Sequence, residues 1–204
     1  MTEFDKVYVA TDDYRIKSAC EAFDIPSVIT SEKHKTGTDR VGEAAGRIKA
    51  DIYVNIQGDE PLLTPAIIRT ALEPFKRKDS GTEVSNIMTQ IKRMSDLSNS
   101  TVPKVVCNAG GELVYMSRLP IPYPKNPARV KYYKQVCVYG FTRNALKEFC
   151  GLARGPAELA EDIEILRFIE NGIKVQMVKV GRDTVAVDTP SDLEQVKRIL
   201  SGKK

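Results

Sequence analysis

Short apolar runs of β-branched and aromatic residues return along this chain with helix-patterned stretches between them, and that alternation limits the fold more than any other feature. Val7 to Ala10 reads VYVA, Ser27 to Thr30 reads SVIT, and Ile52 to Ile56 reads IYVNI. Runs this short and this apolar suit strands covered on both faces, as in parallel sheets. After the first run, Ile16, Ala19, Cys20 and Phe23 recur at helical spacing until Pro26; Gly42 to Ala50 reads as a helix after the second, and Ile67 to Phe75 as a helix after Pro65. Such spacing accommodates right-handed crossovers, so it predicts an α/β fold with a mostly parallel sheet flanked by helices.

The middle of the chain breaks this rhythm. In KVVCNAGGELVYMS two strand-like runs surround Asn108 to Gly111, a hairpin signal. Pro120, Pro122, Pro124 and Pro127 then crowd a stretch that cannot be helical. Residues 100–130 therefore read as a small β-hairpin subdomain inserted in one domain spanning 1–204. Gln135 to Phe141 is a further strand, followed by a helix from about Ala145. Glu158 to Asn171 reads as one amphipathic helix stopped by Gly172, and Lys174 to Val180 as a strand. The close, AVDTPSDLEQVKRIL, gives a short strand, Asp188, and a last helix with Pro190 in its first turn.

Composition excludes several classes. With 42% hydrophobic and 28% charged residues in 204, the chain can bury a full core. The formal charge of +4 is spread among acids, with no basic stripe for nucleic acid. Four cysteines without a CxxC pair, beside a single histidine, support neither a zinc cluster nor a disulfide framework. The start, MTEFDK, is polar, and no apolar run approaches a membrane span. A cytoplasmic chain with reduced thiols is expected, with no nucleic-acid or membrane partner.

Chemistry concentrates at strand ends, where open parallel sheets bind ligands. YVNIQGDEP runs a strand straight into two adjacent carboxylates, Asp59 and Glu60. Like charges side by side are tolerated where a cation sits opposite, although Gly-Asp-Glu-Pro is also ordinary turn chemistry. Asp12, Asp13 and Asp188 lie at other strand ends. Magnesium takes carboxylate oxygens and keeps waters for phosphates, so two such aspartates could form a metal pair. Capping of the following helix is the other reading for Asp12 and Asp13.

KTGTDR (Lys35 to Arg40), NIQGDEP (Asn55 to Pro61), SRLPIP (Ser117 to Pro122), VYGF (Val138 to Phe141), ELAEDIEILR (Glu158 to Arg167) and VDTPSDLE (Val187 to Glu194) occur in that order. Together they resemble the 3-deoxy-manno-octulosonate cytidylyltransferase family over nearly the whole chain. The resemblance implies a nucleotidyltransferase-type, Rossmann-like fold. It implies an enzyme that joins CTP to an acidic 3-deoxy sugar with release of pyrophosphate, uses Mg2+, serves lipopolysaccharide synthesis and is a homodimer. By the same resemblance Asp59 and Asp188 hold the metal and are the catalytic pair. Thr36, Gly37, Thr38, Arg40, Gln57, Tyr139 and Glu164 contact substrate, with Arg40 suited to the sugar carboxylate through its bidentate fork. A surface ion pair is the alternative for Arg40. A sugar-binding or regulatory relative without catalysis, or an enzyme like CMP-sialic acid synthetase, is the rival for the whole.

Three departures bear on this expectation. Gln135 stands where the family usually has a histidine, and Ile165 where it usually has a glutamine after the glutamate. Both would weaken hydroxyl recognition and point to a relative of the octulosonate, such as an amino-substituted form. The family also opens with a strand and a basic, glycine-containing loop that holds the triphosphate. Here VYVA corresponds to the family's second strand, and the TDDYR that follows is acidic and lacks glycine. The sequence thus reads as N-terminally truncated, with weak CTP binding and association through exposed strand edges expected of residues 1–204 alone.

Overall fold

The computed structural model describes residues 4–77, 81–126, 130–181, 184–187 and 189–202. β1 (Val9–Thr11) and β2 (Ser27–Ile29) pair in parallel, with α1 (Tyr14–Ala22) as the crossover between them. Asp13 caps α1, its carboxylate accepting the Arg15 N–H at 2.7 Å, which selects the capping reading for that residue. This pair is a separate two-stranded sheet, and among the described residues its strands do not pair with the main one. α2 (Gly37–Arg47) follows, and then β3 (Ile52–Ile56).

The main sheet has six strands. β4 (Val84–Gln90), β5 (Lys104–Cys107), β6 (Leu113–Ser117), β7 (Tyr133–Thr142) and β8 (Gln176–Val180) run in the spatial order β6-β5-β7-β4-β8, and β3 also pairs with β7. The α/β class is as expected, but the ladder is more mixed than the alternation predicts. β7 is antiparallel to β3, β4 and β5, while β4 and β8 pair in parallel. It follows that β3, β4, β5 and β8 share one direction and β6 and β7 oppose it. The hairpin around Asn108 to Gly111 forms as predicted, joining β5 to β6.

Helices cover both faces. α2, α5 (Arg143–Gly151), α6 (Pro156–Glu161) and α7 (Leu166–Glu170) enclose the larger core, in which Phe168 stacks on Phe141 and packs at a tilt against Phe149. α3 (Pro65–Thr70) lies on the other face, where Ile67 and Ala71 pack with Ile87, Val136, Val138 and Val180. Period-2 alternation along β7 supplies both cores, Tyr139 and Phe141 to one and Val136 and Val138 to the other. α4 (Met94–Ser98) precedes β5, and α8 (Pro190–Leu200) closes the chain with a capping box between Thr189 and Asp192.

Two expectations need correction. Glu158 to Asn171 is not one helix: Asp162 takes a left-handed conformation, φ 49° and ψ 49°, which ends α6, and α7 begins only at Leu166. The stretch after Thr184 was expected to include a short strand, yet no strand forms among its described residues. Val84 to Gln90, which sequence reading passes over, is a central strand. Its polar Ser85, Asn86 and Thr89 disguise it, and each is buried with its side chain donating to a backbone carbonyl.

Candidate active site

β3 and β5 occupy the same edge of β7, one after the other: β5 pairs at Tyr133 and Lys134, β3 from Val138 onward. Between them β7 is bordered by loops rather than by a strand. There a cavity of about 590 Å³ opens at the carboxyl end of β3, a volume suited to a small ligand. Its wall takes Gln57, Asp59 and Glu60 from the end of β3, and Gln135, Cys137 and Tyr139 from alternate positions of β7.

The paired acids of NIQGDEP have separate tasks. Glu60 is buried, and its Oε1 accepts the Cys137 N–H at 3.3 Å, continuing the edge of β7 where β3 has ended. Burial pushes the Glu60 carboxyl above the ordinary range, opposed by the Cys137 amide that it accepts and by the nearby Thr184 side chain. Its Oε2 has no hydrogen-bond partner among the described residues. Asp59 lines the cavity, and its carbonyl oxygen accepts the Val187 N–H at 2.8 Å. Val187 is therefore tied to Asp59 through the backbone. Asp188 itself lies outside the described residues. Among the described residues no group of three or more histidine, cysteine or acidic side chains is arranged to hold a metal. Magnesium does not demand one, because it uses one or two carboxylates with waters and substrate phosphates. Asp59, with a buried oxygen of the adjacent Glu60 that lacks a hydrogen-bond partner among the described residues, fits such a cation.

Of the residues proposed to contact substrate, Thr36, Gly37, Gln57, Tyr139 and Glu164 line the cavity together. Thr36 caps α2 by accepting the Asp39 N–H at 3.1 Å, so KTGTDR is the first turn of a helix and α2 starts earlier than its sequence pattern suggested. Glu164 joins this turn to β3: its Oε2 accepts the Thr38 N–H at 3.0 Å and its Oε1 accepts from Gln57 Nε2 at 2.9 Å. A side chain on Gly37 would meet that Gln57 amide at 2.9 Å, closer than contact allows. The break at Asp162 makes this arrangement possible, since Glu164 lies in the non-helical turn before α7. Burial raises the Glu164 carboxyl, and the Thr38 amide lowers it in opposition. The Cys137 thiol is also pushed up by burial and by the neighbouring carboxylates, so it stays protonated.

Thr38 and Arg40 do not reach the cavity. Thr38 is buried, and the Arg40 guanidinium donates to Asp12 Oδ2 at 2.7 Å and Thr30 Oγ1 at 2.6 Å. Arg40 thus makes an ion pair with Asp12, as its alternative reading had it. Ile165 is 1% exposed within the larger core, so it is no lost polar contact of a sugar pocket. Sequence reading gave no role to four cations that do line the cavity: Lys35, Arg93, Arg118 and Lys134. Arg118 is the notable one. Its guanidinium donates to the carbonyl oxygens of Ser100, Glu161 and Asp162, which hold the group in place without neutralising it. SRLPIP contained the signal, but only the fold brings Arg118 to the cavity.

No helix among the described residues is long and apolar enough to cross a membrane. The cytidylyltransferase family model matches residues 1–177. The chain is 40% identical to the 3-deoxy-manno-octulosonate cytidylyltransferase of Geobacter metallireducens, an alignment covering 96% of this chain and 81% of that protein. It is 37% identical to the protein of the same name from Escherichia coli, over 96% and 79%. Among solved structures, CMP:2-keto-3-deoxy-manno-octonic acid synthetase complexed with CTP superposes with a TM-score of 0.89 at 36% identity, over 98% of this chain and 82% of that one. The inositol-1-phosphate CTP transferase of T. maritima, at 18% identity and a TM-score of 0.63 over 97% of this chain and 75% of that one, shares the fold. This chain belongs to the cytidylyltransferase family, within its 3-deoxy-manno-octulosonate cytidylyltransferase branch, and is a nucleotidyltransferase.

Proposed function

We propose that the chain transfers the cytidylyl group of CTP to 3-deoxy-manno-octulosonate or a close acidic relative. The observation that carries this reading is the cavity at the end of β3, lined by Asp59 and Glu60 together with Lys35, Arg93, Arg118 and Lys134, in a chain that superposes on a CTP-bound relative. The sugar's anomeric hydroxyl oxygen attacks the α-phosphorus of CTP. The bond from that phosphorus to its bridging oxygen breaks, pyrophosphate leaves with the electron pair, and the hydroxyl proton passes to solvent. This reaction needs positioning and charge stabilisation more than a dedicated base. Arg118 suits the sugar carboxylate, since its charge is uncompensated by the carbonyls that orient it. Gln57, held by Glu164, presents its amide oxygen to the sugar. Asp59 and Asp188 would hold magnesium, which when bound neutralises phosphate charge and acidifies the attacking hydroxyl.

Pyrophosphate release from CTP, followed with magnesium and each candidate sugar, tests the proposal. Turnover is expected with an acidic 3-deoxy sugar, and Asp59→Asn should remove it, by about a hundredfold or more, while leaving thermal unfolding nearly unchanged. Sugar binding without pyrophosphate release would favour the non-catalytic relative. A fully active Asp59→Asn variant would remove Asp59 from the metal site.

A further inference from the structure

The cavity contains a side chain whose hydrogen-bonding polarity is fixed by the sheet behind it. Pairing between β4 and β7 shifts after Asn86: Asn86 faces Tyr139, but Ile87 faces Val136. β7 thus bulges at Cys137 and Val138, and a bulge leaves carbonyls in need of donors. The Asn86 side chain, fully buried, supplies them, its Nδ2 donating to Val136 O at 3.0 Å and to Val138 O at 2.9 Å. Both amide hydrogens are spent there, so Asn86 Oδ1 can only accept. It accepts from Gln135 Nε2 at 3.0 Å, and the same nitrogen donates to Tyr139 Oη at 3.3 Å. Gln135 has then committed both of its own hydrogens. It is 9% exposed and lines the cavity, to which it can offer only its carbonyl oxygen.

We infer that Gln135 reads the sugar through this acceptor oxygen, so the substituent against it must be a hydrogen-bond donor, a hydroxyl or an ammonium group. Asn86 touches no substrate and is the positioning residue that sets this polarity. The inference rests on the proposed reading that the cavity holds the sugar. It also changes the meaning of Gln135 as a departure from the family's histidine. The position has not lost its polar contact; it carries one of fixed direction. A rotated amide would place Gln135 Oε1 against Asn86 Oδ1, two acceptors facing each other in a buried site, and that clash keeps the amide as it is.

The test is a panel of octulosonate analogues in which each hydroxyl in turn is replaced by hydrogen, fluorine or an amino group. Specificity constants are measured with CTP and magnesium on the full chain, with calorimetric sugar binding alongside. At one position, removal of the hydroxyl and its replacement by fluorine should both cost about tenfold or more, because fluorine cannot donate, while the amino analogue is retained. Gln135→Leu should lower the parent by a similar factor, abolish discrimination at that position alone, and leave KM for CTP unmoved. Asn86→Ser, if folded, frees the Gln135 amide to rotate and should shrink the amino-to-fluorine ratio, which loss of stability alone would not change. Should Asn86→Ser not fold, the wild type and Gln135→Leu still decide the matter. The inference is overturned if fluorine replaces every hydroxyl without loss, or if Gln135→Leu keeps the wild-type profile. Turnover without discrimination sinks this inference alone, whereas neither turnover nor sugar binding sinks the proposed function with it.

Discussion

The two sheets of this molecule are held by different forces. The six-stranded body is organised by burial: Phe141, Phe149 and Phe168 are fully enclosed and in ring contact at 5.0 to 5.9 Å. Even its charges are internal. Arg167, 3% exposed, lies over the Phe149 ring and binds Glu158, 0% exposed, and Asp39. The β1–α1–β2 unit buries little beyond Thr11, Cys20 and Thr30, and exposes Tyr14, Ile16, Phe23 and Ile25. It meets α2 and the segment before it through directional polar contacts. Arg40 binds Asp12 and Thr30, Glu43 binds the Ser31 amide, and Arg47 donates to Ile29 O. Burial resists salt and acid; exposed ion pairs resist neither. The unit should therefore loosen under conditions that leave the body intact.

The sharpest contrast comes from truncating matched aromatics. Phe168→Ala should cost about 3–5 kcal/mol in denaturant unfolding, whereas Phe23→Ala, at a residue 77% exposed, should cost less than about 0.5 kcal/mol. Arg167→Ala leaves Glu158 buried without its main partner and should destabilise by about 3 kcal/mol, with no comparable effect at an exposed ion pair of the first unit. Ile165→Gln, a gain of function had the residue faced the sugar, should instead cost about 1–3 kcal/mol and leave sugar specificity unchanged.

The pH response should separate the regions by sign. Burial raises the Glu164 carboxyl, so its contribution is full below the unfolded value and lost as pH rises through the folded one. Acidification from neutrality toward about pH 4 should relieve that cost in the body. Asp12 is lowered by its hydrogen bond from Arg40, and Glu43 by the Ser31 amide and then His34. Their contributions are present above the unfolded values and are lost as pH falls through the folded ones. Below about pH 4, amide exchange in β1 and β2 should therefore accelerate before exchange in β4 and β7. Arg40→Ala has the smallest expected effect: faster proteolysis within the first unit at neutral pH, with the body's unfolding midpoint and KM for the sugar unchanged. A raised KM would return Arg40 to the substrate site.

Local chemistry was legible wherever one segment settles its own conformation. Pro190 and the Thr189–Asp192 box start the last helix, Asn108 to Gly111 close a hairpin, and the strand that ends in NIQGDEP stops where its polar residues say it should. The ordered motifs likewise carried the family. What the sequence could not decide were side-chain destinations set by partners far along the chain. Glu164 meets Gln57 107 residues away, Asn86 meets the carbonyls of β7 about fifty residues away, and Arg40 is claimed by Asp12 rather than by the cavity. The physical reason is common to all three. A polar side chain's role depends on which donors and acceptors remain unsatisfied once the backbone has packed, and only the tertiary structure fixes that remainder.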